Sequence, residues 1–192
     1  YSTQTGQESP TTCQTCGVGT FSSEVGAKNE STCSACPANS NAPAGSDAVW
    51  DCICDAGFTA SASGTCQACA AGKYKADSGN GACTDCGAGK YSSQSGLSTE
   101  SECVTCGPGK YSDLPGAASE SLCTLCPEDT YSNAYGANSG DMCTACPDGM
   151  ASDRGASSCV QVCDPGFYDE GQGCTACAVG KYSSTTRAKS SD

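Results

Sequence analysis

The stretch Cys86-Gly-Ala-Gly-Lys-Tyr91-Ser-Ser-Gln-Ser-Gly96-Leu-Ser-Thr-Glu-Ser-Glu-Cys103-Val-Thr-Cys106 decides how the whole chain is read. It returns with small changes. Cys106-Gly-Pro-Gly-Lys-Tyr111-Ser leads to Gly116-Ala117 and Cys123, and Cys126-Pro-Glu-Asp-Thr-Tyr131-Ser leads to Gly136-Ala137 and Cys143. Near the start, Cys16-Gly-Val-Gly-Thr-Phe21-Ser leads to Gly26-Ala27 and Cys33. In all four the last cysteine of one pair stands 17 positions before the first of the next. A fixed period of about 20 residues is the mark of a repeat architecture, in which each unit contacts mainly its neighbours. The predicted fold is a string of small disulfide-rich repeats. It forms an elongated rod of short β-strands and loops with little or no helix.

Composition points to the same scaffold. Twenty of 192 residues are cysteine, while Leu, Ile, Val and Phe total 15 (4, 1, 7 and 3). So few large apolar side chains cannot bury a core. Each closed loop of roughly 15 residues instead gains about 3 kcal/mol from its bridge in the chain-entropy account. So many structural cysteines require an oxidising compartment, which predicts an extracellular or cell-surface location. The net charge is −12 and there is no histidine. That balance argues against nucleic acid and anionic membrane as partners, since both need basic patches. Acidic residues such as Glu24, Glu30, Glu100, Glu102 and Glu120 are scattered, as on a solvated surface.

Aligned on the cysteine pairs, the chain divides into a partial repeat at 1–15, repeats at 16–35, 86–105, 106–125 and 126–145, a shortened repeat at 69–85, and a partial repeat at 177–192. Two stretches, 36–68 and 146–176, break the period. Each contains a Cys-x-x-Gly-aromatic run closed by a cysteine about a dozen residues on: Cys54-Asp-Ala-Gly57-Phe58 to Cys66, and Cys163-Asp-Pro-Gly166-Phe167 to Cys174. These resemble the C-terminal half of an EGF-like module and are read as EGF-like insertions. Tyr1-Ser2 and Tyr182-Ser183 both fall in the aromatic-Ser register, so the sequence is expected to be an excerpt of a longer repetitive protein, and any membrane span would belong to that longer chain.

Pairing each cysteine with the nearest in register gives Cys16–Cys33, Cys36–Cys52, Cys54–Cys66, Cys69–Cys83, Cys86–Cys103, Cys106–Cys123, Cys126–Cys143, Cys146–Cys159 and Cys163–Cys174. Cys13 and Cys177 are left over. Sequence alone does not fix connectivity, and a crossed pattern such as Cys33–Cys52 with Cys16–Cys36 stays open. The unit as a whole, Cys-x-x-Gly-Lys-Tyr-Ser…Gly-Ala…Cys-x-x-Cys, resembles the ephrin-receptor-like cysteine-rich repeat, related in style to the first loop of tumour-necrosis-factor-receptor modules. Departures are Cys36-Pro-Ala-Asn-Ser-Asn41 and Cys146-Pro-Asp-Gly-Met-Ala151, which lack the aromatic. The resemblance implies a receptor ectodomain or a large surface protein of algae and other protists, including those of flagellar hairs (mastigonemes).

Chemistry has few footholds. Cys-x2-Cys-x16-Cys-x2-Cys is also the spacing of a four-thiolate zinc site. Against zinc stand the absence of histidine and the Cys52-x-Cys54 and Cys159-x3-Cys163 spacings. Eight Cys-x-x-Cys pairs in series, without a βαβ pattern, read as structural and not redox-active. Calcium would need an acidic cluster ahead of Cys36, which is missing. No histidine base and no framed carboxylate pair is available for catalysis, so neither an enzyme nor a cofactor is expected. Tyr91, Tyr111 and Tyr131 either pack on neighbouring disulfides or form a stripe facing a partner chain. Trp50 either covers Cys52 or makes an outside contact. Lys73, Lys90, Lys110 and Lys181 share one register and could meet Glu100 or Glu120. Asn29-Glu-Ser31 is the one N-glycosylation sequon. The expected partners are other protein chains in self-assembly or a filament, and glycans. The function expected is an extracellular structural protein that builds or decorates a filament, hair or coat. A receptor or adhesion ectodomain is the alternative.

Overall fold

The computed structural model describes residues 13–169 and 173–184. The aromatic-Ser register at Tyr1 and the outer parts of the two terminal partial repeats lie outside these residues. Among the described residues there are nine two-stranded antiparallel ladders and five 3-10 turns of three residues each. Strands of two or three residues suit a chain so rich in Gly, Ser and Asn, and they follow from the repeat itself.

The repeat opening at Cys106 shows why. Three places on, Gly109 sits in the left-handed region with φ of 74° and turns the chain sharply. Lys110–Tyr111 then runs antiparallel to Thr124–Leu125, the two residues between the next pair of cysteines. Between them the chain passes Gly116-Ala117 and enters a 3-10 turn, Glu120–Leu122, that delivers Cys123 to Cys106. In the earlier turn at Glu100–Glu102, the Glu102 carboxylate reaches back to accept the backbone N–H groups of Ser98 and Thr99, both at 2.8 Å. Asp51 does the same for Asp47 and Ala48. Donors at a helix start that lack carbonyl partners are thereby satisfied.

All nine disulfides join neighbours in register: Cys16–Cys33, Cys36–Cys52, Cys54–Cys66, Cys69–Cys83, Cys86–Cys103, Cys106–Cys123, Cys126–Cys143, Cys146–Cys159 and Cys163–Cys174. The crossed alternative is not formed. The backbone keeps its register even where the cysteines shift. The residue three places after the first cysteine always donates its N–H to the carbonyl of the left-handed residue: Cys106 to Gly89 at 2.8 Å and Cys126 to Gly109 at 2.9 Å, for example. Where only one residue separates Cys52 from Cys54, the donor is Asp55, bonded to Asn39 at 3.0 Å. The N–H of Cys54 is then released from that role, and the Asn80 side chain accepts it at 3.1 Å. Where three residues separate Cys159 from Cys163, Val162 donates to Gly149 at 2.9 Å.

Two compact units result, Tyr1–Cys86 with Ser92–Cys103, and Gly87–Tyr91 with Val104–Asp192. In the first, Gly19 donates to the Ala42 carbonyl at 2.8 Å, Gly57 to Lys75 at 2.8 Å and Gly72 to Ser92 at 2.9 Å, each bond crossing from one repeat to the next. In the second, Gly89 donates to Ser112 at 2.8 Å, Gly109 to Ser132 at 2.7 Å and Asp129 to Ser152 at 2.9 Å. Ser112 and Ser132 pass the ladder on, donating to Ala137 and Ala156 at 3.0 and 3.2 Å. Single parallel bridges, such as Tyr91 with Ala117 and Tyr111 with Ala137, lie alongside. The loops Cys36–Cys52 and Cys146–Cys159 are built in the same way although they lack the aromatic. Asn41 and Ala151 occupy its strand position, and Ala42 and Ser152 accept the bond from the preceding repeat.

Each unit's interior is sulfur and small side chains. Cys54, Cys69, Cys86, Cys106, Cys126 and Cys163 are fully buried, as are Ser112 and Ser152. In the first unit Tyr74 packs on a small cluster of Cys86, Leu97 and Cys103.

Backbones approach so closely that three of the described glycines are irreplaceable: a Cβ on Gly57 would lie 2.4 Å from the Gly96 carbonyl oxygen, and Gly89 and Gly109 are tighter still. A Cβ on Gly89 would lie 2.2 Å from the Gly136 carbonyl oxygen, and one on Gly109 2.0 Å from that of Gly155. Both also hold positive φ, which costs an L-residue roughly 1–2 kcal/mol before any clash. Gly107, in the same repeat as Gly109, has open space where a Cβ would go. Gly109→Ala and Gly89→Ala should each lower stability by more than ~2 kcal/mol, whereas Gly107→Ala should leave it within ~0.5 kcal/mol of the parent. Denaturant midpoints measured without reductant check this, and equal midpoints for Gly109→Ala and Gly107→Ala would refute the close-contact account.

Candidate functional site

With every repeat assembled by its backbone, the side chains divide into those used inside the stack and those left outside. The recurrent aromatics belong mainly to the first class. Tyr91, Tyr111 and Tyr131 are all half-buried. The Tyr111 ring lies over Gly140 of the next repeat, where a Cβ would stand 3.2 Å from its Cζ. Tyr74 rests on the Cys86–Cys103 bridge and Leu97, a sulfur-aromatic contact of the kind that contributes about 0.3–1.5 kcal/mol. The register lysines also find partners close by. Lys110 Nζ pairs with Glu120 at 2.7 Å within its own repeat, and Lys73 pairs with Asp85 across its hairpin. Such exposed pairs contribute only ~0–1 kcal/mol each.

The zinc spacing is used for something else. Cys103 is bonded to Cys86, Cys106 to Cys123 and Cys126 to Cys143, so no four-thiolate set is left along this run. Among the described residues no three of His, Cys, Asp and Glu are grouped to hold a metal. Cys13 is exposed, Cys177 is half-buried, and neither is in a disulfide.

Outside the stack, Trp50 stands out. It sits in the 3-10 turn Val49–Asp51 with 78% of its surface exposed. Other exposed apolar side chains escaped the sequence reading because they follow no common register. In the second unit these include Leu114, Leu122, Met142, Val179 and Tyr135, the last 74% exposed. Only Leu122 and Met142 share a position, immediately before the first cysteine of a pair. In the first unit an open hollow of about 240 Å³ is lined by Val18, Asn41, Ala42, Pro43, Ile53 and Ser78. Its lining carries no charged side chain and nothing suited to acid-base work. The side chains left outside are therefore exposed rings and aliphatic tips on a polar, acidic surface. Among the described residues no helix is long and apolar enough to cross a membrane.

Glu102 is the one described group with a resolved titration shift. The backbone N–H groups of Thr99 and Ser98, with the hydroxyls of both residues, hold its carboxyl below the ordinary glutamate value, and slight desolvation opposes them. A depressed folded-state pKa means that its stabilising contribution is present above the unfolded pKa and lost as pH falls through the folded one. The Glu102 carboxyl should titrate in NMR at lower pH in the oxidised protein than in the reduced, unfolded chain, and Glu102→Gln should remove that part of the acid sensitivity. Trp50, the single tryptophan, should emit like a solvated indole and be quenched freely by acrylamide in the isolated chain. A protected, blue-shifted emission under those conditions would contradict its placement.

Residues 57–103 match the family model described as tyrosine-protein kinase ephrin type A/B receptor-like. No curated protein matches the chain. The matched stretch contains two complete bridges, Cys69–Cys83 and Cys86–Cys103, together with the Gly-Lys-Tyr strands at Tyr74 and Tyr91. The match and the bridges within it fit a cysteine-rich ephrin-receptor-like repeat, set among further disulfide-stapled units of extracellular type.

Proposed function

We propose that this chain is part of an extracellular structural protein that builds or decorates a filament, a mastigoneme-like hair or a surface coat. It works by contact with other protein chains and not by catalysis. The observation that carries this reading is the uniform use of recurrent side chains inside each unit. Tyr74 and Tyr111, the buried serines and the cysteines serve the stacking of one repeat on the next, and the paired lysines Lys73 and Lys110 stay within their own repeat. What is left on the outside differs from repeat to repeat, as a set of lateral contacts would, with Trp50 in one unit and Leu114, Leu122, Tyr135 and Met142 in the other. A surface without histidine, carrying a net charge of −12, suits solvated packing beside other chains.

A receptor or adhesion ectodomain is the second reading. The receptor description of the matched family favours it, as does the exposure of Leu114 and Tyr135 in successive repeats. Electron microscopy of non-reduced material from the native source separates the two. Fibres containing the chain at a fixed axial repeat are expected. Single particles tethered to a membrane at one end would replace the structural reading with the receptor one.

A further inference from the structure

Among the 3-10 turns that precede a first cysteine, two have an N-cap side chain that accepts a backbone N–H, and one of these is Asn29. In the repeat 126–145 the turn Gly140–Met142 is capped by Ser139, whose hydroxyl oxygen accepts the Asp141 N–H at 3.0 Å. The same register is occupied by Thr99 and Ser119 in two other repeats. In the repeat 16–35 it is Asn29, whose Oδ1 accepts the Ser31 N–H at 3.1 Å and also the Ser31 hydroxyl. Both acceptor directions of the amide are thus turned inward to the cap. Its Nδ2 makes no hydrogen bond among the described residues, and the residue is exposed, between exposed Lys28 and Glu30. The group that would be modified in an Asn-x-Ser sequon therefore faces water, while the group the fold needs is the other end of the same amide.

We infer that Asn29 carries an N-linked glycan and that the fold accommodates it without loss of the cap. This rests on the extracellular reading, because the modification is made on the secretory route. In the transfer, Nδ2 forms a bond to the anomeric carbon of an oligosaccharide carried on a lipid diphosphate. The carbon–oxygen bond to the diphosphate breaks, the diphosphate leaves with the electron pair, and Nδ2 gives up one proton. Oδ1 is untouched and keeps its two hydrogen bonds. Val25, four positions earlier in the same loop, is the most exposed apolar side chain of that repeat at 99%.

The register supplies clean variants. Asn29→Ser should keep the cap, as Ser139 does, and lose the sugar. Ser31→Thr should keep both. The peptide that trypsin releases from Asn29 to Lys73, taken from reduced native protein, is expected to carry an oligosaccharide that peptide N-glycosidase removes, leaving Asp at position 29. In a eukaryotic secretory host the full chain should show the same mass difference. Asn29→Ser should abolish it and Ser31→Thr preserve it, with unchanged denaturation midpoints. Bare Asn29 in native protein whose nine disulfides are intact would overturn the inference and leave the extracellular reading standing. Native protein with its thiols reduced would overturn the extracellular reading itself.

Discussion

Each repeat depends on one residue held in the left-handed region three places after a cysteine. Its carbonyl accepts the N–H of the returning strand and closes its own hairpin, while in most repeats its N–H donates to the following repeat. A single peptide-flanked position thus couples folding within a unit to stacking between units. Glycine meets the demand in most repeats, and Asn39 and Asp129, the two non-glycine residues at positive φ among the described residues, meet it elsewhere. Asn and Asp are the side chains that tolerate this region best.

The disulfides make this arrangement worth forming. A ladder of two residues is too short to persist in water, and the apolar content is too low for burial to organise the chain. Closing a loop removes most of the conformational freedom of the unfolded segment, so the few backbone bonds and small contacts that remain suffice. That explains why the interior can consist of cystine, alanine and serine. Ser112 and Ser152 are fully buried at the position whose carbonyl accepts the N–H of the preceding repeat. Lys75 occupies the same register in the shortened repeat, and its Nζ reaches the Asp77 carbonyl at 2.7 Å, which shows how a long side chain can be led out of so narrow a space.

Much of this was legible in the sequence, because cysteine spacing reports loop closure directly. The period favours the pairing of Cys86 with Cys103 that the structure forms, and it points to the short-stranded, helix-poor fold. Less legible was the sameness of the irregular stretches. Cys36–Cys52 and Cys146–Cys159 lack the aromatic and so look foreign, yet what the stack requires there is an extended pair followed by a small residue, which Asn41-Ala42 and Ala151-Ser152 provide. The role of Asn80 was hidden for a related reason. Its bond to Cys54 exists only because one residue is missing between two distant cysteines, and no local pattern announces a partner 26 positions away. The exposure of Trp50 was equally out of reach, since no local pattern marks the 3-10 turn that carries it.

The pattern of bridges has a mechanical consequence. If the chain is drawn from its two ends, the covalent path that carries tension does not follow the sequence. It enters at Cys106, crosses the bridge to Cys123, runs through Thr124 and Leu125 to Cys126, and crosses again to Cys143. The roughly 16 residues of each loop hang beside this path without bearing load. Of a 20-residue repeat that would extend to about 70 Å, only about four residues of backbone, some 14 Å, and one bridge lie in line. Such a chain is nearly inextensible once oxidised. Its loops can vary in length, bear sugars or meet partners without altering how force is transmitted along it.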